Sequence, residues 1–549
     1  MNWTTIKSAL TSWPIIVVAI TIACLVPFAG KAFHIDDPLF IWSAKQINVN
    51  PADFYGFKVN WYTMAMPMAE VTKNPPATCY YIALVGWLFG WSEIVLHISF
   101  LVPAAAAALG IFYLARQFCS RPGLATLAAV LTPAFLVSGT NVMCDTMMLA
   151  LWVWAVFFWV RGIKQNNKLE LFIGALLVAA CALTKYFGIA LLGLLSVYSL
   201  IQNRGLGYWV LFLLIPVIIL AGYQWATQTL YGRGLLLDAA SFATNFRWRG
   251  STELLLKGLT GLAFMGGCVI TALFYWPLLW TRRFTVAGIL LTILSIRAFI
   301  LLTGGGSAFN EGYRARWVFF VQASILVAGG LSLLGLAAAD YRQCRDADSL
   351  LLVLWVLGTF VFAGFINWVV NARSILPIVP AVGILLMRRI DRRIVPVQGK
   401  GIWRLSWPLV PAAVLSLLVC WADYTLAGTA RDAADAIHKE FASRPGNVWF
   451  KGHWGFQYYM EANGYKAFDY TNLKPVSGNV VVVPSNNYGV MWEPPIQKPH
   501  METTFRFEPC SWLSTMSRSL GAGFYADIWG PLPFVIGPVA PEEYYILFY

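Results

Sequence analysis

Residues 33–42 read FHIDDPLFIW and follow directly on the apolar run SWPIIVVAITIACLVPFAG of residues 12–30. The run is about as long as a helix must be to cross the ~30 Å hydrocarbon core of a bilayer. Two adjacent carboxylates, Asp36 and Asp37, then stand immediately outside it, among residues that otherwise leave water. Two readings compete. The pair opens a helix, with Pro38 in its first turn and an Asp as N-cap, or it is kept at the lipid boundary for chemistry.

The whole chain repeats the first run's character. Of its 549 residues 58% are hydrophobic and 12% charged, whereas a soluble chain carries roughly a quarter charged residues. Long apolar runs recur over most of the length, so the chain reads as a polytopic membrane protein. Helices are the form that satisfies backbone groups inside such runs. The net charge of +13 sits mostly in short loops between the runs and reports topology, not nucleic-acid binding. Nine cysteines are scattered singly, without a C-x-x-C pair, and give neither a zinc site nor a disulfide framework. Neither a G-x-x-x-x-G-K-[ST] loop nor a strand-associated G-x-G-x-x-G is present, so nucleotide chemistry lacks its usual cradle. The first run is expected to stay as an uncleaved span, having no small-x-small cleavage site.

About thirteen spans are expected, starting near Trp13, Ile94, Leu124, Thr146, Leu171, Gly188, Tyr208, Gly258, Thr285, Trp317, Leu350, Ser374 and Leu405. With the N-terminus in the cytoplasm, successive cytoplasmic loops collect the basic residues. These are Arg116 and Arg121, then Arg161, Lys164 and Lys168, then Arg204, Arg282 and Arg283, Arg342 and Arg345, and the run RRIDRR at 388–393. That pattern obeys the positive-inside rule. The outer side then holds Asp36 and Asp37, the long first loop 31–76, the stretch 231–256, the segment GGGSAFNEGYRAR and everything after about Tyr424. The chain divides on this reading into a transmembrane domain, 1–427, and an extracytoplasmic domain, 428–549. The latter is expected to be a small α/β unit, because NVVVVPSNN alternates like a strand.

Charged residues also cluster at the outer ends of spans: Asp145 in NVMCDTMM, Lys185 in ALTKYFG, Arg373 in NARSILPIVP, with Arg297 deeper. A charge at mid-membrane costs ~2.5–3.5 kcal/mol on insertion scales, and less at the interface. Arg297 reads equally as half of a buried ion pair or as a ligand. Lys185 and Arg373 lie on the less basic face, and with Arg314 and Arg316 they are suited to hold a phosphate by guanidinium forks and a point-charge ammonium. A partly desolvated carboxylate from the Asp36–Asp37 pair is suited to take a proton from an acceptor hydroxyl.

The order DDPLFIWSAKQI, KNPPATCYYIALVGWLFG, NVMCD, LTKYFG, ARSILPIVP resembles the GT-C membrane glycosyltransferases. More narrowly it is similar to the glycosyltransferase family 39 group of protein O-mannosyltransferases and lipid A aminoarabinose transferases. The resemblance runs to about Arg389 and implies a GT-C fold, a polyprenyl-phosphate-linked sugar donor and inverting transfer outside the cytoplasm. It places the catalytic acidic pair on Asp36 and Asp37, the first usually assigned the catalytic role. A further acidic residue falls on Asp145, an acceptor or structural group, and donor-phosphate ligands fall on Lys185 and Arg373. The family's Lys-Pro-Pro is Asn74-Pro75-Pro76 here, with Lys73 one residue earlier, and both are carried as phosphate-binding candidates.

No metal ligand set and no cofactor are expected, since side chains suffice to neutralise a monophosphate leaving group. The histidines His34, His97, His438, His453 and His500 stand isolated. The expected partners are the lipid-linked donor, a lipid, glycan or protein acceptor, and the bilayer of a bacterial inner membrane. The competing reading is a secondary transporter or lipid flippase. The long first loop and the one-sided polar clustering count against it, as does the lack of an inverted repeat.

Overall fold

In a computed structural model, residues 12–62, 64–245, 251–302, 313–393, 405–443, 448–469, 478–487 and 499–549 are described. Among the described residues six helices are long and apolar enough to cross a membrane: Glu93–Ala115, Cys144–Gln165, Trp209–Tyr231, Trp317–Cys344, Ala347–Ile366 and Leu409–Phe441. The pair Pro122–Val130 and Pro133–Gly139, bent by 66° at its break, is a seventh candidate if counted as one span. The protein is therefore a polytopic helical membrane protein. Shorter apolar helices, among them Trp13–Phe28 and Tyr186–Gln202, account for other runs. One more, Ala77–Phe89, covers a run that was not among the expected spans.

The interruptions of these helices position the functional residues. Pro133 cannot continue the preceding helix, and the Thr132 hydroxyl caps the new start by accepting from the Phe135 N–H at 3.3 Å. The chain then leaves helical geometry over 140–143 before Cys144 opens the next long helix with Asp145 in its first turn. Helix Lys168–Thr184 stops at Lys185, which is extended, and a short 3-10 turn follows over Tyr186–Ile189. Gly188 is required at this stop, because a Cβ there would lie 2.6 Å from the Ala182 backbone nitrogen. A π-turn over Phe362–Ile366 ends another helix, and Asn371 caps the next by accepting from the Ser374 N–H at 2.8 Å. Non-helical backbone at such depth is tolerated where protein surrounds it, and residues 369–372 and 140–145 are buried.

The last long helix, Leu409–Phe441, has 33 residues and spans about 50 Å. That exceeds a bilayer's hydrocarbon core, so its C-terminal turns project into the tail. There a five-stranded mixed sheet forms in the order Lys466–Ala467, Val448–Phe450, Val480–Pro484, Glu542–Phe548, Met501–Phe507. The first three strands run parallel, and Glu542–Phe548 is antiparallel to both its neighbours, with Ile546 opposite Val482 and Thr503. The strand expected from NVVVVPSNN is the fully buried middle one.

The tail is bolted to the membrane helices by a buried polar cluster. The Lys31 ammonium donates to Asp423 Oδ2 and to Asn141 Oδ1, each at 2.5 Å. The Tyr525 hydroxyl donates to Asp423 Oδ2 and the Thr515 hydroxyl to Asp423 Oδ1, both at 2.7 Å. Lys31 and Asp423 are fully enclosed. A buried pair with every lone pair and proton satisfied fixes one arrangement of the parts that carry it. The helix Trp454–Ala462 adds aromatic contacts: Tyr458 packs edge-on against Phe33 at 5.0 Å, and the Tyr459 hydroxyl accepts from the Phe33 N–H at 2.7 Å. GHWGFQYYMEANGY thus includes an aromatic packing layer on the membrane helices.

Arg297, read from sequence as half of a buried ion pair or as a ligand, is exposed on the helix Arg282–Leu302. It lies on a peripheral helix whose outer face, including Ile289 and Ile293, is also exposed.

Candidate active site

The interruptions at 36, 144, 185 and 371–374 meet around one cavity of about 370 Å³. Asp36, Lys73, Asn74, Lys185 and Arg373 all line it. Residues separated by more than three hundred positions are thereby brought together, and they are five of the nine site candidates named from the sequence.

Each cation on the cavity holds a carboxylate. Arg373 donates from an Nη to Asp36 Oδ2 at 2.8 Å, and its guanidinium lies over the Tyr525 ring at 5.7 Å. Lys185 Nζ sits 2.5 Å from Asp145 Oδ1. Asp145 is buried and does not reach the cavity, so in this structure it holds the ammonium at the wall. Lys73 Nζ pairs with Asp238 at 2.6 Å and donates to the Glu70 carbonyl at 2.9 Å. Of the three pairs, Asp36–Arg373 is the one in which both partners face the cavity. Asn74 offers its side-chain carbonyl, which the Cys144 thiol approaches at 3.6 Å. The side chains of Arg314 and Arg316 lie outside the described residues.

The two members of the acidic pair take different places. Asp37 is fully buried and lines no part of the cavity. Its Oδ2 accepts from the His34 N–H at 2.8 Å and its Oδ1 from the Val142 N–H at 2.9 Å. Burial pushes its carboxyl up to about 7, against the opposing pull of Lys31 and of those two N–H groups. Asp37 therefore stitches the 34–37 turn to the break at 140–143. Neither Asp caps the helix Asp37–Val49 in the manner expected, since Asp36 occupies the N-cap position without a side-chain bond to the first turn. The turn is tight: Ile35 has φ 47°, a left-handed value unusual for a β-branched residue. His34 is buried and its ring is held neutral, burial lowering it to about 4.

One wall was not legible as an element. The outer stretch after Tyr231 contains the helix Leu235–Asn245, whose residues Leu236, Ala239, Ala240 and Ala243 line the cavity at helical spacing, beside Phe242. Gln224 satisfies its start by accepting from the N–H groups of Leu236 and Leu237 at 3.1 and 3.2 Å. A Cβ at Gly234 would clash with that same Gln224 side chain. The signal was present in LLLDAASFA, a period-3.6 face with Asp238 in the first turn. Trp61, Tyr62, Phe362 and Trp368 complete a lining that is apolar on one side and ionic on the other. Among the described residues no group of three or more His, Cys, Asp or Glu has metal-binding geometry.

Residues 73–225 match the family model for dolichyl-phosphate-mannose-protein mannosyltransferase. The matched segment contains Lys73, Asn74, Asp145 and Lys185 and covers the part of the chain that supplies one side of the cavity. No curated protein matches the chain. Solved structures are similar to it, two of one protein among them. ArnT from Cupriavidus metallidurans bound to undecaprenyl phosphate is 14% identical, with a TM-score of 0.43, over 87% of this chain and 94% of that one. The apo state of the same protein is 12% identical, with a TM-score of 0.43, over 86% of this chain and 93% of that one.

Proposed function

We propose that the chain is a membrane glycosyltransferase of the GT-C type. It would move a hexosyl or pentosyl group from a polyprenyl-phosphate donor to an extracytoplasmic lipid, glycan or protein, with inversion at the sugar carbon. The observation that carries this reading is the cavity itself. One carboxylate and two cations from distant helix breaks face it across from an apolar wall, which is what a lipid-linked phosphate sugar requires.

In this mechanism the phosphate of the donor displaces Asp36 from Arg373 and approaches Lys185 from the cavity, while Asp145 keeps that ammonium at the wall. The guanidinium offers a bidentate fork and the ammonium a point charge, and both stabilise the leaving phosphate as negative charge grows on it. Asp36, released from Arg373, accepts the acceptor's hydroxyl proton while that oxygen attacks the sugar carbon. Asp36 acts as the base in preference to Asp37, whose oxygens are committed to backbone N–H groups. Lys73 and Asn74 stand at the same rim, with Lys73 free to turn to phosphate once Asp238 moves. The lipid tail lies along the 235–245 wall and Trp368.

The orientation is that of the basic loops: N-terminus in the cytoplasm of a bacterial inner membrane, about thirteen spans, and residues 428–549 as an outer domain. The testing experiment is transfer of labelled sugar from a panel of polyprenyl-phosphate sugars in proteoliposomes, comparing the wild-type protein with Asp36→Asn. Consumption of one donor by the wild type, and its loss in the variant, supports the reading. If no donor is consumed and the variant behaves as wild type in donor binding, the transporter reading replaces it.

A further inference from the structure

A second cavity, of about 540 Å³, lies at the opposite end of the helices. Helix Tyr313–Cys344 lines it and runs from there to the tail. Near its start Gln322 exchanges hydrogen bonds with the backbone of Ile536 in the tail, at 2.9 and 2.8 Å, and Arg342 on the second cavity lies about 30 Å further along, at 1.5 Å per residue. The walls are apolar and shaped by small residues. A Cβ at Gly288 would meet the Trp276 ring at 2.5 Å, and one at Gly335 would stand 3.4 Å from Trp280, so glycines open the space that the two tryptophans line. The neighbouring helix Arg282–Leu302 turns Ile289, Leu290 and Ile293 outward, so the groove is flanked by surface that acyl chains cover.

The mouth is basic in a specific way. Around it, Arg388 and Arg392 both bind Asp340, at 3.0 and 2.7 Å, and Arg121 binds Asp391. Arg342 and Arg389, which line the cavity, have no carboxylate partner among the described residues. Arg389 rests over the Trp280 ring at 5.9 Å and points its Nε toward the Leu279 carbonyl, 3.5 Å away. An apolar slot with two unneutralised guanidiniums at its rim is complementary to a lipid with an anionic head. Basic pockets between membrane helices on the cytoplasmic side hold such headgroups.

We infer that this groove binds an anionic phospholipid of the surrounding bilayer, its phosphate between Arg342 and Arg389 and an acyl chain against Trp276 and Trp280. The site is separate from the donor cavity and does not depend on the transferase reading, only on the chain spanning a membrane.

The test is photocrosslinking of the purified full-length protein in nanodiscs with a phosphatidylglycerol that carries a diazirine in its acyl chain. Labelled peptides are mapped by mass spectrometry. Label is expected in 276–290 and 328–343, and a phosphatidylcholine probe with identical chains is expected to label these peptides about thirtyfold less, the ratio that two basic side chains give at a membrane surface. The Arg342→Gln/Arg389→Gln double variant should lower phosphatidylglycerol labelling to the phosphatidylcholine level. Ala339→Phe, which fills the slot and keeps both arginines, should lower labelling by both probes. Equal labelling of the wild type by the two probes overturns the inference, and this arm stands even if a variant does not fold. Displacement of the probe by polyprenyl phosphate as effectively as by phosphatidylglycerol overturns the phospholipid assignment, and displacement by glycerol phosphate alone overturns the role of the acyl chain.

Discussion

Replacing Asp36 with Asn separates the two jobs that its carboxylate performs in the proposed mechanism. In the resting site Asp36 is a competitor for Arg373, held at 2.8 Å with both side chains mostly enclosed, 24% and 16% exposed. A charge-assisted hydrogen bond of this kind contributes about 1.5–3 kcal/mol net. The donor phosphate must give up that amount to claim the guanidinium. Removing the charge with an isosteric amide therefore tightens donor binding by about ten- to a hundredfold, at 1.4 kcal/mol per decade. The same substitution removes the proton acceptor and lowers turnover by about 10²–10⁴-fold. The two effects have opposite signs, which a merely structural Asp36 cannot produce, since loosening the site weakens binding and rate together. Donor affinity is measured on the detergent-purified protein by titration with polyprenyl phosphate, and turnover with labelled sugar donor in proteoliposomes. Weaker binding by Asp36→Asn, or turnover within a few-fold of wild type, would refute the reasoning.

Four other outcomes are expected. Arg373→Gln leaves Asp36 without its cation and removes the fork, so donor affinity falls by about 1.5–3 kcal/mol in the same titration, and Arg373→Lys restores part of it. Asp37→Asn presents an NH₂ to one of two buried backbone donors and costs about 1–3 kcal/mol, seen as a lowered thermal midpoint with donor affinity of the folded fraction unchanged. Asp423→Ala strands the Lys31 charge and costs about 3–5 kcal/mol, read as loss of monodisperse protein on size exclusion. Glu542 is buried in the tail and its carboxyl is raised by burial from 4.5 to about 7. The folded state therefore binds more protons than the unfolded one across that window, and stability falls as pH rises through it. Glu542→Gln keeps an oxygen for Asn486 and should flatten the melting temperature between pH 4.5 and 7; an unchanged slope would count against the assignment.

Hydrophobic periodicity made the membrane class legible, and the short motifs made the family resemblance legible. Asp36, Lys185 and Arg373 were legible as charged residues at the ends of apolar runs, and Lys73 and Asn74 only through the motif resemblance. The division of labour between Asp36 and Asp37 was not. It depends on the Val142 N–H, freed by a helix break that only tertiary packing defines. The partners Asp238 and Tyr525 were equally hidden, since ion pairs and ring contacts across the fold leave no spacing in the chain. Helix Leu235–Asn245 was passed over because its face is made of alanines, which mark a groove wall no more strongly than a loop.

The Lys31–Asp423 bond joins residues 392 apart. At 5–20 residues per second of synthesis, the lysine emerges about 20–80 s before the carboxylate that neutralises it, and the hydroxyls of Thr515 and Tyr525 come later still. The first span thus enters the bilayer with a charge just beyond its end whose counterpart is not yet made. A chain stopped before residue 423 would present that stranded ammonium to the cell's quality-control proteases. Synthesis of the stretch from Asp423 to Tyr525 thereby becomes the event that locks the first break of the site in place.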